Sequence, residues 1–301
     1  MKTFACALLI AAITVATPSL SSAQTEPARD SSRASRIDLR PKFKAGQSVR
    51  FKMVMKSDSG EAGGQKIEQE IVVKLTARIT DPEKGSTVEM AYESLRFQLE
   101  AGGMNLTFDS TRPKDDSPTD AMLRPLIGLK MTVAFAPDGN ITSVSMDDDA
   151  DGVAGMIAGQ FSGADVAKGI FGPITGISKG DGRAAVGESW TNEDVISGAM
   201  GSTRVSTINT LDSVKNGKAN ISTKGSVKLE GSGGSGLPTV NINDSIITGK
   251  AVWDLEAGML ESMKQDQSFS IDTPDTGNDP NGKVAKIRAK HTMSVEVNRL
   301  K

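Results

Sequence analysis

The chain has 301 residues, with 35 Lys and Arg against 37 Asp and Glu, a formal charge of −2, and 37% hydrophobic residues. No basic excess exists to hold a phosphate backbone, which argues against nucleic acid as a partner. One cysteine and one histidine exclude a disulfide framework and any zinc site built on several Cys or His.

In chain order, Lys2, the apolar run Phe4 to Val15, and Ser21-Ser22-Ala23 before Gln24 form an export signal over residues 1–23. The apolar run is shorter than the roughly 20 residues a spanning helix needs, and no later segment approaches that length. A chain without a transmembrane segment after cleavage, in the periplasm or on the cell surface of a bacterium, is the expectation. Cys6 lies near the start of the apolar run, so it is not placed as a lipoprotein cysteine. Residues 24–36, polar and without apolar periodicity, read as a disordered tether.

Residues 37–146 alternate with period two, the sign of half-buried strands. Ile67, Ile71, Val73, Leu75, Ala77 and Ile79 share one face, with Glu68, Glu70, Lys74, Thr76 and Arg78 on the other. Similar runs are Val49-Phe51-Met53-Met55, Leu95-Phe97-Leu99, Met131-Val133-Phe135 and, near the end, Ile287-Ala289-His291-Met293-Val295-Val297. Residues 185–301 echo this first half in order. AGQSVRFKM at Gly46 is answered by VGESWTNED at Gly187, the turn Asp81 to Gly85 by Asp212 to Gly217, and Phe135 to Ile141 by Trp253 to Leu260. The fold class is therefore all-β, with long antiparallel strands in two similar halves, curved sheets or half-barrels, joined by a short Gly-rich helix.

That connector is residues 147–184. It opens on MDDDADGV, where Asp147, Asp149 and Asp151 followed by Gly152 match the first half of a calcium loop. The twelfth position, which should supply a bidentate Glu, is Ala158, so an acidic cap on a helix start is the competing reading. Beyond it, Val153, Met156, Ile157 and Phe161 fall at helical spacing, with Gly155, Gly159 and Gly163 between them. Each interior glycine costs about 1 kcal/mol of helix propensity, so this helix needs packing, either as a buried connector or as a lid over an apolar cavity.

No other stretch carries a strong chemical motif. GSGGSG at Gly231 to Gly236 contains G-x-G-x-x-G but leads to Leu237-Pro238 rather than a helix, so it reads as a flexible loop between strands. His291 sits on an apolar strand face without a cysteine partner or a nucleophile elbow, and reads as a packed or edge histidine. Trp190, Trp253 and Tyr92 are too few for a carbohydrate platform and suit the core. Met53, Met55, Met90, Met104, Met131, Met259 and Met263 fit either an irregular core or an adaptable apolar pocket. Chemistry by two carboxylates stays open, but nothing in the sequence selects a pair.

The ordered stretches FKAGQSVRFKM, FDSTRP, LIGLKMTVAFAPDGNI and FGPITGISKGDGRAAVGESW resemble an uncharacterised family of exported bacterial β-rich proteins, a domain of unknown function. The resemblance implies export and an all-β fold, and carries no catalytic residues. The functional expectation is a non-catalytic cell-envelope protein binding an apolar small molecule or lipid. A structural or protein-interaction component of the envelope is the alternative, and a carboxylate-based hydrolase the third reading.

Overall fold

The computed structural model describes residues 36–60, 64–81, 83–139, 141–146, 181–198, 201–230, 241–274 and 286–301. Their strands are β1 (Ile37–Asp38), β2 (Ser48–Asp58), β3 (Gln65–Asp81), β4 (Gly85–Ala101), β5 (Met104–Asp109), β6 (Lys130–Phe135), β7 (Ile141–Met146) and β8 (Arg183–Ala184). They continue with β9 (Ser189–Gly198), β10 (Gly201–Lys215), β11 (Lys218–Glu230), β12 (Asn241–Asp254), β13 (Met259–Pro274) and β14 (Lys286–Leu300). Every pairing is antiparallel.

Twelve strands form one open sheet in the order β7-β6-β4-β3-β2-β14-β13-β12-β11-β10-β9. Strand β5 pairs with residues 96–101 of β4, whose residues 86–91 pair with β6. The two stretches of alternation are therefore not separate sheets: β2 pairs with β14 over Arg50 to Asp58 and joins them. Short β1 and β8 pair with each other outside this sheet. The last part of the expected connector, Arg183–Ala184, is thus strand. Asp147, Asp149, Asp151, Val153, Met156, Ile157 and Phe161 lie outside the described residues, as do the proposed signal and the GSGGSG run.

Alternation turns one face inward. Phe51, Met53 and Met55 of β2, Val73 and Leu75 of β3, Val88 and Met90 of β4, and Met131 and Val133 of β6 are almost wholly buried. They belong to one core cluster with Trp190, Leu211, Ile221, Trp253, Leu260, Val295 and Val297 from the other half. Burying a side chain of this size contributes about 1.5–3 kcal/mol, so the cluster is what holds the two ends of the sheet together. Ile79 departs from the expected face and is 62% exposed. The register slips between Ala77 and Ile79, and one extra residue in a period-two element turns the next side chain to the opposite side.

The echoes in the sequence fall on matching backbone. Gly46 donates to the Ala77 carbonyl, and Gly187 to the Leu211 carbonyl; both glycines have positive φ, 75° and 85°. Gln47 and Glu188 each accept, through the side chain, from the backbone N–H three residues earlier. Ser48 then meets Thr76 at 3.1 Å, and Ser189 meets Thr210 at 2.8 Å. At the opposite turn, the register slips just before Phe135 in one half and just before Trp253 in the other.

The helix α1 (Pro118–Leu123) is six residues long and was not anticipated by periodicity. Ser117 caps it by accepting from the Asp120 N–H at 3.1 Å, and Pro118 takes the first turn where no N–H is needed. A strap over residues 36–44 crosses one end of the sheet. Leu39 N–H donates to the Gly182 carbonyl, Lys42 N–H to the Gly258 carbonyl, and the Phe43 ring lies 5.3 Å from that of Phe135.

Candidate functional site

Register places the inner-face side chains in rows across the sheet. One row runs Asn209, Thr223, Gly249, Gln265, Val295, Met55, with Phe97 further along. The next runs Thr207, Gly225, Ile247, Gln267, Met293 and on to Ile67 and Leu99. In the first-half strands the rows are Met55, Gln69 and Phe97, and Ser57, Ile67 and Leu99, four of the six apolar. In the second half they carry amides and hydroxyls: Asn192, Thr207, Asn209, Gln265 and Gln267 are buried, which is unusual for uncharged polar side chains on a core face.

Two glycines sit between these polar groups on neighbouring central strands. Gly225 and Gly249 have ordinary strand backbone, so neither is required by a positive φ. A Cβ on Gly225 would stand 2.3 Å from the Ser206 carbonyl oxygen, and one on Gly249 3.2 Å from the Lys264 carbonyl. Glycine inside a strand marks a close approach of backbone or ligand, and here Gly225 and Gly249 each remove one side chain from a row, leaving Ile247 between Thr207 and Gln267. Thr223 donates to the Asn209 amide oxygen at 2.6 Å, holding that amide in place. Ile247, within the second row, joins Val205 and Val227 in a second small apolar cluster. The inner face is therefore amphiphilic: uncharged hydrogen-bonding groups on one side, methionine and aliphatic side chains on the other.

Of the methionines singled out by their place in strand-like runs, Met53, Met55, Met90, Met131, Met259 and Met263 are buried, whereas Met104 at the β4–β5 turn is 51% exposed. Under the strap, Pro41, Phe43, Phe51, Trp253 and Met259 enclose a cavity of about 10 Å³, room for about one water. The indole N–H groups of Trp190 and Trp253 are buried with no acceptor.

The carboxylates with perturbed acidity are all held ionised. Burial pushes Asp254 up, but the Ala257 N–H, Lys218 at 2.7 Å and Arg299 at 2.6 Å outweigh it and hold the carboxyl far below the usual range. Arg124 hydrogen-bonds both oxygens of Asp120, the first cause of its lowered value, and also spans to the Ser110 and Arg112 carbonyls. Asp38 is drawn down to about 2, chiefly by its hydrogen bond from Arg40. Asp109 is lowered first by the Thr111 hydroxyl. A general acid needs the opposite shift. His291 stacks on Phe269, with ring centroids 5.2 Å apart, and burial lowers its pKa. Among the described residues no group of three His, Cys, Asp or Glu side chains is placed to hold a metal, and no helix is long and apolar enough to cross a membrane.

On the outer face, the far ends of β2, β3, β4, β12, β13 and β14 enclose an open groove of about 590 Å³. Sequence reading assigned Glu68 to the polar side of its strand and Ile67 and Met293 to apolar faces, and could not bring them together. Only register places Glu100 of β4 and Asp266 of β13 in one concavity.

No curated protein matches the chain. Among solved structures it is similar to one titled "Lipid-protein interactions in lipovitellin", at 9% sequence identity and a TM-score of 0.48. That similarity covers 86% of this chain and 26% of the other, so the chain spans about a quarter of that protein. The model of a family of unknown function, DUF6263, matches residues 83–260, more than half of the chain, and the protein belongs to that family.

Proposed function

We propose that the chain is an exported, non-catalytic envelope protein that binds an amphiphile on the inner face of its sheet. The observation that carries this reading is the division of that face. Met55 and Met293 provide adaptable apolar side chains, and across the same rows Asn209, Gln265 and Gln267 provide hydrogen bonds without charge. Such a surface favours a lipid with an uncharged, hydrogen-bonding head over a free fatty acid, because no cation on these rows would neutralise a buried carboxylate.

The matched glycine turns, Ser–Thr contacts and register slips support two related halves, curved so that their inner faces share one core. Asp38, Asp109, Asp120 and Asp254 are each held ionised, which does not suit these four to the proton-donor role of a carboxylate hydrolase. A second reading, an interaction component of the envelope, is favoured by the outermost strands β7 and β9, which pair on one side only among the described residues.

The test is organic extraction of the purified protein followed by mass spectrometry, together with displacement of a bound fluorescent fatty acid by a monoacylglycerol. Copurified neutral lipid, and displacement by monoacylglycerol at lower concentration than by oleate, are expected. Protein free of lipid that takes up neither probe would overturn the reading.

A further inference from the structure

The groove opens on the outer face: its charged and hydroxyl side chains point away from the core, while Ile67, Gln267 and Met293, which also border it, alternate to the inner side. Two cross-strand ladders form its floor. One runs Glu100, Lys66, Asp58, Thr292, Ser268, Ile246 across six strands, and one step along the strands lie Glu68, Lys56, Ser294 and Asp266. Their partners on the inner face, such as Met55 and Val295, are buried, so the sheet itself separates the two surfaces.

The charges do not balance. Four carboxylates, Asp58, Glu68, Glu100 and Asp266, face two ammonium groups, Lys56 and Lys66. Lys56 meets Glu68 at 3.0 Å and Lys66 reaches Asp58 at 3.9 Å. Glu100 and Asp266 make no ion pair within 4.0 Å among the described residues, although Lys264, two residues along β13, feels the charge of Asp266; Glu100 accepts from the Gln98 amide at 2.9 Å. They stand four strands apart, about 19 Å along the sheet. Between them lie hydroxyls of Ser268, Thr292 and Ser294, the threonine methyl, and Ile246, which is 57% exposed. A concavity lined by an excess of one charge focuses its field on the opposite charge.

We propose that this groove binds a linear aliphatic polyamine. Terminal ammonium groups would meet Glu100 and Asp266, inner amines the serine and threonine hydroxyls, and methylene spacers Ile246 and the aliphatic stems of Lys56 and Lys66. The alternation of charge and short apolar surface matches that chemistry. An anionic ligand would be repelled, and a sugar would find no aromatic ring among these side chains.

Titration calorimetry of the full mature chain with spermine in low salt tests this. Binding that falls with added salt is expected, with diaminobutane at least tenfold weaker because it cannot span both carboxylates. Asp266→Asn and Glu100→Gln should each weaken spermine at least fivefold with melting temperatures unchanged. Glu193→Gln, on the same outer face at β9 and outside the groove, should leave it unaltered. Absence of binding at millimolar spermine, or equal weakening by Glu193→Gln, would overturn the proposal. A failed lipid extraction would leave it standing, because Glu100 and Asp266 take no part in the amphiphile surface.

Discussion

Asp254→Asn tests whether the carboxylate at the β12 turn ties the second half of the sheet together. Asp254 accepts from Lys218 of β11 at 2.7 Å, from Arg299 of β14 at 2.6 Å, and from the N–H groups of Glu256 and Ala257 at 3.1 and 3.0 Å. Asparagine keeps Oδ1 for the turn but puts an NH2 donor where Oδ2 accepted from Lys218 and Arg299, so both charge-assisted hydrogen bonds are lost, at roughly 1 kcal/mol or more each. Lys218 retains Glu261 at 2.6 Å, whereas Arg299 has no second carboxylate among the described residues. The expected loss at pH 7 is about 2–3 kcal/mol, because a partly buried guanidinium is left without its counter-ion. The acidity of Asp254 fixes the sign of the pH dependence. Its folded pKa lies below an unfolded value of about 3.9, so the stabilisation is complete above that pH and fades as acid is added. The gap between the parent chain and the variant should narrow by about 1 kcal/mol at pH 3. Urea unfolding followed by tryptophan fluorescence at pH 7 and pH 3 measures both quantities. A variant within about 0.5 kcal/mol of the parent at pH 7, or a gap that widens in acid, would refute the reasoning.

Three further outcomes follow from the same structure. Gly225→Ala places a methyl against the Ser206 carbonyl in the middle of β10–β11 pairing, and should cost about 2–3 kcal/mol in thermal or urea unfolding; an unchanged melting temperature would show that the strands are not so closely apposed. Met90→Ala removes a wholly buried side chain and should cost about 2–5 kcal/mol by the same assay. Trp190 and Trp253, the only two tryptophans, are both buried, so native emission should be blue-shifted and shielded from acrylamide; ready quenching would contradict their placement.

Strand positions were legible because period two is a local property: Phe51, Met53 and Met55 alternate with Arg50, Lys52 and Val54, and their burial follows. The turn glycines were legible too, since Gly46 and Gly187 precede strands in matching words. What the sequence withheld is non-local. Nothing in Val295 or Met55 announces that they oppose each other across 240 positions of chain, so neither the joining of the two halves through β14 and β2 nor the rows built upon it could be read. The slip at Ala77 had no residue signature, which is why Ile79 was assigned to the wrong face. Helix α1 is too short for a 3.6-residue period to register, although Ser117-Pro118 is a start signal in retrospect. The polar rows were also hidden, because only strand register puts Gln265 and Gln267 on the same side as Asn209 and Thr207.

The account depends most on that amphiphilic inner face. Gln265→Leu and Gln267→Leu together would replace its hydrogen-bonding groups with apolar ones of similar size and leave the methionine surface intact. Displacement of a fluorescent fatty acid by monoacylglycerol, measured on this double variant and on the parent chain, is the most direct measurement. The account predicts that the variant still takes up the fluorescent probe but loses its preference for monoacylglycerol over oleate. A parent chain that takes up no probe, or a variant that keeps the preference in full, would contradict it.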